Sequence, residues 1–520
     1  MMRWCRIALA GLAAVVTNSG WRVAGAPAYE VPQSAASPGV AAAVMSDKAV
    51  AYLSGDRTKA TLASLPPSAA LLKGTPASDA VKDQFVLAHE APAIDFALLP
   101  GQAVGHRLWS TWGDAVHGAD GMFYGSIGDH DSPFGSTFVY RVNPKTKEVK
   151  LVVDVNKVMG NPSGKYTGGK IHCPLVEDGR GRLYFATYRG SAKGTSIEYG
   201  YQGDHFFRYD EHSGQTEDLG PLVPDATIPV LVYYAPTDML YGEAQPALNN
   251  NGESGSIFFA YSLKEKKLRF TCPTGSAMTR AIVVAADGRV FWEHVKEDTK
   301  VEPAVKTETG RKPAAKQLAG KKPVVKKPIR LRNSNLGRYD PKSNTAAVTD
   351  VTIPGNGTLR AASRWDSQGT VYCLTSDGML FDFDTRREKL TPWKSCFPTG
   401  ALYTAVIKLD PTERYLYYVP ASHGHSSETG SVVVQAEIAT RKIKAMAFPA
   451  ATIQEKFGYH LGGTFGTALS PDGSQLFIVW NGNIKGASRQ TDFGLCSAMI
   501  LHIPAADRSG AVPPIDREDN

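Results

Sequence analysis

The residues equipped for chemistry are scattered along this chain rather than gathered in one motif. Lys170 and His172 stand together in Gly-Lys-Ile-His, Tyr188 and Arg189 are adjacent, and His205, Arg280, Arg360, Arg364, Tyr403 and His460 follow at wide intervals. A set of Arg, His and Tyr without a nearby acidic pair suits two tasks. Its cations can hold an anionic ligand, and they can neutralise the charge that grows on a carboxylate while His or Tyr removes and returns a proton. The second task is the equipment of β-elimination from a uronate, with His172 as base or acid, Tyr188 or His205 as its partner, and Arg280 with Arg360 as the carboxylate clamp. His423-Gly-His425 offers something different. Alternate residues of an extended strand face the same side, so this pair could furnish two ligands of a divalent metal, although its Ser-rich loop supplies no evident third. Each of these side chains also has a plainer use, since a lone loop histidine commonly just hydrogen-bonds its neighbours.

Other chemistries are excluded by motif. The chain has no G-x-S-x-G elbow, no phosphate-cradling G-x-x-x-x-G-K-[ST], no H-E-x-x-H and no dinucleotide G-x-G-x-x-G in the right setting. No C-x-x-C or C-x-x-C-H occurs, which removes haem attachment by that route, and no cofactor is called for. Five cysteines follow Cys5 at wide spacing: Cys173, Cys272, Cys373, Cys396 and Cys496. That is not a disulfide framework, and buried thiols are the simpler expectation, with one or two bridges left open.

Positioning falls to a repeat. A turn, usually with Asp-Gly or a similar pair, leads at once into a short aromatic and β-branched strand: DGMFYGSI at 120, DGRGRLYFATY at 178, TDMLYG at 237, DGRVFWEH at 287, SQGTVYCLT at 367, DPTERYLYYV at 410 and PDGSQLFIVW at 471. A strand, turn and strand built around a Tyr-Asp-Pro-like core follows each, as in YRVNPKTKEVKLVVD at 140 and GRYDPKSNTAAVTD at 337. Each unit reads as a four-stranded antiparallel meander that cannot bury both its faces alone. Seven of them imply an all-β ring, a seven-bladed β-propeller of four-stranded antiparallel blades over residues 105–508. Within 83–101, DQFVLAHEAPAIDFALLPG could supply a strand that closes the ring beside the last blade; the rest of 29–104 lacks periodicity, and 509–520 is a tail.

Such a ring sorts its residues by face. The Asp-Gly turns fall on one face. The other collects the longer loops, including those at 128, 188, 242, 420 and 480, and the innermost strand of each blade begins there. Lys170, His172, Arg280, Arg360, Arg364, Tyr403 and His460 are therefore expected around that mouth of the central channel, with Tyr188, Arg189, His205 and His130 on loops beside it, and His117 on the plain face.

In architecture the chain resembles exported seven-bladed propellers of the polysaccharide-lyase kind; the resemblance covers the repeats and carries no residue-by-residue lyase signature. His423-x-His425 is similar to the His-x-His manganese site of oligogalacturonate-lyase propellers. The carboxylates Asp114, Asp131, Asp204 and Glu243 keep open the ligand set of gluconolactonase-like propellers. The resemblance implies an anionic polysaccharide or cell-wall polymer as partner. A non-catalytic protein- or wall-binding scaffold is the alternative.

Composition bounds the rest. The net charge of +7 is local, because residues 301–332 hold ten Lys or Arg against two Glu. This Lys, Pro and Ala-rich insertion at 295–332 reads as a solvated loop, its wording similar to a core histone tail, and the body is near neutral. No nucleic acid partner is expected, and a monomer is. Met-Met-Arg-Trp-Cys-Arg, the apolar run IALAGLAAVV at 7–16 and the small residues to 28 follow the secretory-signal pattern, which predicts a secreted or periplasmic product. That run is about half the length of a bilayer span, and no later segment is apolar enough to be one.

Overall fold

The repeated turns form through their own side chains. Asp178 Oδ1 accepts the backbone N–H groups of Arg180 and Arg182 at 2.9 and 3.3 Å. Asp366 does the same for Gln368 and Thr370 at 2.9 and 2.8 Å, and Asp410 for Arg414 and Tyr415 at 2.9 and 2.8 Å. An aspartate that ties down its own downstream backbone is an Asx turn, which is why the residue recurs at this place. Where the third and sixth repeats lack glycine, Asp238 and Glu413 take the left-handed conformation themselves, at φ 56° and 58°. The second hairpins use the same device: Asn143 Oδ1 accepts from Lys145 and Thr146, and Asp384 Oδ1 from Arg386 and Arg387.

The structure is a computed structural model that describes residues 57–73, 85–102, 108–129, 134–248, 255–275, 280–295, 334–355, 357–395, 403–423, 426–484 and 493–508. The chain divides into two units, 1–42 and 43–520, and every described residue lies in the second. The segment read as a signal peptide, the basic insertion beyond Val295, His130, Asp131 and His425 lie outside the described residues.

Seven antiparallel sheets follow one another along the chain as the blades of a seven-bladed β-propeller. From the inside outwards, blade two runs Lys170–Ile171 with Val176–Glu177, Arg182–Tyr188, His205–Asp210 and Thr216–Pro221. Blades three, four and five repeat the order with four strands each, beginning at Ala226–Tyr234, Val283–Val284 and Leu359–Trp365. Blade six begins at Lys408–Leu409, and blade one at Trp109–Ser110 with Val116–His117. Aromatic side chains seal neighbouring blades. Phe123 of blade one stacks on Phe477 of blade seven at 5.1 Å, and Phe258 of blade three on Trp292 of blade four at 4.8 Å.

The last blade takes only three strands from the C-terminal end: Tyr459–Leu469, Gln475–Ile484 and Leu495–His502. Its next strand is Ala93–Leu98, paired antiparallel with Leu495–His502, so the two ends of the ring are joined by a ladder of backbone hydrogen bonds. The same N-terminal stretch adds Lys59–Thr61 to the edge of blade one, Ala63–Leu65 to blade seven and Val86–Leu87, in parallel, to blade six. Three blades therefore carry extra edge strands, an addition to the four expected per blade. Buried carboxylates rivet this strap. Asp95 accepts from His502 Nε2 at 2.8 Å and Lys147 Nζ at 3.2 Å, and Asp507 from Lys444 Nζ at 2.7 Å and His89 Nδ1 at 3.1 Å. Cys173, Cys272, Cys373 and Cys496 are free thiols.

Candidate functional site

The innermost strands of blades one and two are interrupted, and the interruptions present side chains to the site. In blade one, residues 111–115 separate two strand fragments and present Trp112. In blade two, residues 172–175 do the same and present His172. Breaks of this kind leave the ladder and re-aim side chains, much as a bulge does. They are possible here because the backbones touch: a Cβ on Gly113 would lie 2.4 Å from the Cys173 carbonyl oxygen.

Trp112 is the hub. Its indole lies 5° from parallel to His172 at 6.2 Å and 4° from parallel to Phe493 at 5.8 Å, with Phe465 at 4.7 Å and His423 edge-on at 5.5 Å. Its Nε1 donates to Ser110 Oγ at 2.6 Å, which fixes the ring. Lys170 Nζ sits 4.7 Å above Trp112 and 4.9 Å above Tyr188. The Arg280 guanidinium lies 5.3 Å from Trp112 and 4.8 Å from Phe465, and Arg360 lies 4.5 Å from Tyr403. Arg280 also donates to the Trp112 carbonyl at 3.3 Å and hydrogen-bonds the Tyr403 hydroxyl.

Burial sets the electrostatics. Lys170 is 8% exposed and His172 4%. Desolvation, then the nearby Arg280 and Arg189, hold the Lys170 ammonium well below its usual range. Desolvation, then Arg280 and Lys170, do the same for His172, which is neutral at pH 7. Arg280 is brought down to about 10 by burial, opposed by Tyr403 and reinforced by Arg360. Among the described residues, Lys170 and Arg280 form no ion pair with a carboxylate. Cation–π contacts are worth about 0.5–2 kcal/mol each, well short of the cost of desolvating a charge.

The sequence-predicted residues divide into groups. Lys170, His172, Arg280, Arg360 and Tyr403 come together, and Tyr188, expected on a loop beside them, joins them from the end of strand Arg182–Tyr188. His172 stacks on Tyr188 at 4.4 Å, and Tyr188 donates to Gln245 Oε1 at 3.3 Å and hydrogen-bonds Arg189. His460 is the second residue of the inner strand of blade seven, opposite Asn483 and five residues before Phe465. Two expectations fail on placement. Arg364 lies at the other end of the channel, bonded to the Asp410 carbonyl at 2.9 Å and Glu413 at 3.2 Å. Four residues of extended strand advance about 13 Å, so Arg360 and Arg364 share a strand but not a mouth. His205 heads the third strand of blade two and pairs with Asp218 at 2.8 Å, so it is not assembled with His172.

His423 is expected to hold a metal together with His425, which lies outside the described residues. His423 is exposed and stands edge-on to Tyr403 at 5.4 Å, inside the aromatic group. Partial desolvation by the packed rings, then the Arg280 and Arg360 charges, lower its pKa. No group of three His, Cys, Asp or Glu among the described residues is placed to hold a metal ion. Of the four carboxylates in the alternative ligand set, Asp131 lies outside the described residues, and two of the others are engaged elsewhere. Asp114 is held by Lys408, and Asp204 by the hydroxyls of Tyr166 and Tyr201.

Sequence reasoning missed Trp112, Phe465 and Phe493. Only Trp112 left a trace, standing eight residues ahead of the first Asp-Gly turn where an inner strand must run. Tyr403 carries a further mark that sequence could not show. It is a non-glycine residue at φ 70°, with its carbonyl accepting from Ser422 N at 2.7 Å, and Ala421 beside it is at φ 62°. Strained backbone of this sort concentrates at functional sites.

No protein-family model matches the chain, and no curated protein matches it. Among solved structures, it is similar to a chain of the crystal structure of the mitotic checkpoint complex, at 10% identity and a TM-score of 0.45, over 78% of this chain and 93% of that one.

Proposed function

We propose that this protein binds an anionic glycan, a uronate-bearing polymer or oligomer, at the loop-rich mouth of the propeller channel. One observation carries the reading: Lys170 and Arg280, with Arg360 beside them, meet on an aromatic floor where neither Lys170 nor Arg280 has a carboxylate partner among the described residues. A carboxylate entering there would gain charge-assisted hydrogen bonds, while Trp112, Tyr403 and Phe493 offer apolar faces to the ring that carries it. The secretory-type sequence at 1–28 supports a secreted or periplasmic site of action.

The finer form of the reading is a lyase. Nδ1 of His172 lies 3.2 Å from the Pro229 carbonyl oxygen, so it carries the proton and Nε2 is left as acceptor. His172 would take the proton α to the carboxylate, Arg280 and Arg360 would steady the enediolate, and the protonated Tyr188 would return a proton to the departing glycosidic oxygen. A carbon–carbon double bond forms as the carbon–hydrogen and carbon–oxygen bonds break. The burial of His172 and Tyr188, 4% and 6% exposed, favours the second reading, a scaffold that binds protein or wall polymer without turnover.

Two measurements separate them. Calorimetry with a panel of oligouronates tests binding, and ultraviolet absorbance of unsaturated product tests cleavage, with and without divalent metal. Binding without absorbance removes the lyase; no binding to any acidic glycan removes the whole proposal.

A further inference from the structure

We propose that the pocket beneath the aromatic floor is a seat for one small anionic group, of halide or carboxylate size. The pocket has a volume of about 70 Å³ and is lined by Arg280, Arg360, His172 and Trp112, with apolar walls that include Val230, Ile282, Val406 and Phe465. Room for a water needs about 10–15 Å³ on this measure, so the space takes a few heavy atoms and not a sugar ring.

Its chemistry is one-sided. Two guanidiniums line it, beside the neutral imidazole of His172. Among the described residues on its wall the one carboxylate, Asp114, is already engaged by Lys408, by Thr467 N at 2.8 Å and by Ala115 N at 2.9 Å. Arg280 Nε is buried with no hydrogen-bond partner among the described residues. A buried donor on a cation strongly favours an acceptor, and an anion supplies charge as well, which water does not. Burial first, and neighbouring cations after it, lower the pKa values of Arg280 and Lys170, and a bound anion would raise both. Neutral and cationic ligands are disfavoured by the same argument.

The seat stands independently of the glycan. A free inorganic or carboxylate anion could fill it, or the acidic group of a larger ligand at the mouth. The test is the thermal midpoint of the full chain at fixed ionic strength, with sodium chloride or sodium acetate replacing the bulky sulfonate HEPES. The expected result is a saturable rise of about 2–4 °C with chloride and with acetate, lost in Arg280→Gln and in Arg360→Gln. Chloride-35 line broadening on the unmodified protein, reversed by acetate, gives the same answer without any variant. Equal midpoints in all three salts, or an unchanged chloride response in both variants, overturns the seat. Stabilisation by an oligouronate but by neither small anion overturns it while leaving the glycan reading intact, and the reverse pattern supports the seat and removes the glycan.

Discussion

Arg280 and Trp112 hold each other twice: the guanidinium lies 5.3 Å from the indole centre, and its Nη1 donates to the Trp112 carbonyl oxygen at 3.3 Å. The two residues belong to blades four and one, so the bond crosses the channel. It fixes a cation where the inner strands converge and leaves Nε unused.

Replacing that cation should weaken ligand binding more than folding. Hydrogen bonds to charged groups are worth about 1.5–3 kcal/mol, so Arg280→Ala should lose about 10- to 100-fold in affinity for an oligouronate. Arg364→Ala, at the opposite end of the channel, should leave affinity unchanged. Calorimetric titration of both variants checks the pair, and equal losses would sink the assignment of the mouth.

His172 makes a prediction about pH. Its pKa in the fold lies well below 6.5, so the unfolded chain binds the proton first as pH falls. The stability it contributes is complete above about pH 6.5 and declines below it. Thermal midpoints should therefore fall between pH 7 and pH 5 in the natural chain and fall less in His172→Gln. If His172 is also the base, His172→Gln abolishes cleavage while oligouronate affinity survives.

The strap should loosen in acid. Burial opposes the charge on Asp95, but hydrogen bonds from His502, Ser64 and Lys147 outweigh it and pull the pKa from 3.8 to about 2. A carboxylate with a depressed pKa stabilises the fold above its unfolded value and loses that contribution as pH falls from about 4 through 2. The amount is about 2 kcal/mol. Asp95→Asn should flatten the pH dependence of stability across that window, measured by urea unfolding at pH 5 and at pH 2.5.

Blade one meets blade two through a missing side chain. A Cβ on Gly113 would lie 2.4 Å from the Cys173 carbonyl and 3.1 Å from Ile171 Cγ2, so Gly113→Ala must push backbone apart. A loss of about 1–3 kcal/mol is expected, with Trp112 displaced. Gly121→Ala, with open space around its Cβ, should cost less despite its φ of 81°. Unfolding curves of the two variants provide the comparison.

The sequence alone determined the ring. Asp-rich turns and aromatic strands are local signals, since each Asx turn is made within about five residues and the blades, apart from the strands lent by the N-terminal stretch, from adjacent strands, and so seven repeats could be counted without coordinates. It also announced most of the cations, because inner strands begin on one face and bring Lys170, Arg280 and Arg360 there by order alone. Only the tertiary structure decided depth and direction. Arg364 left the group because an inner strand runs from one face of the ring to the other, His205 because a third strand lies outside the second, and His423 joined an aromatic group through contacts with Trp112 and Tyr403, residues far from it in sequence or across the inner edge of its blade. Trp112 itself is placed by a break between two strand fragments, a feature set by the close approach of neighbouring backbones, and that approach exists only once the ring has closed.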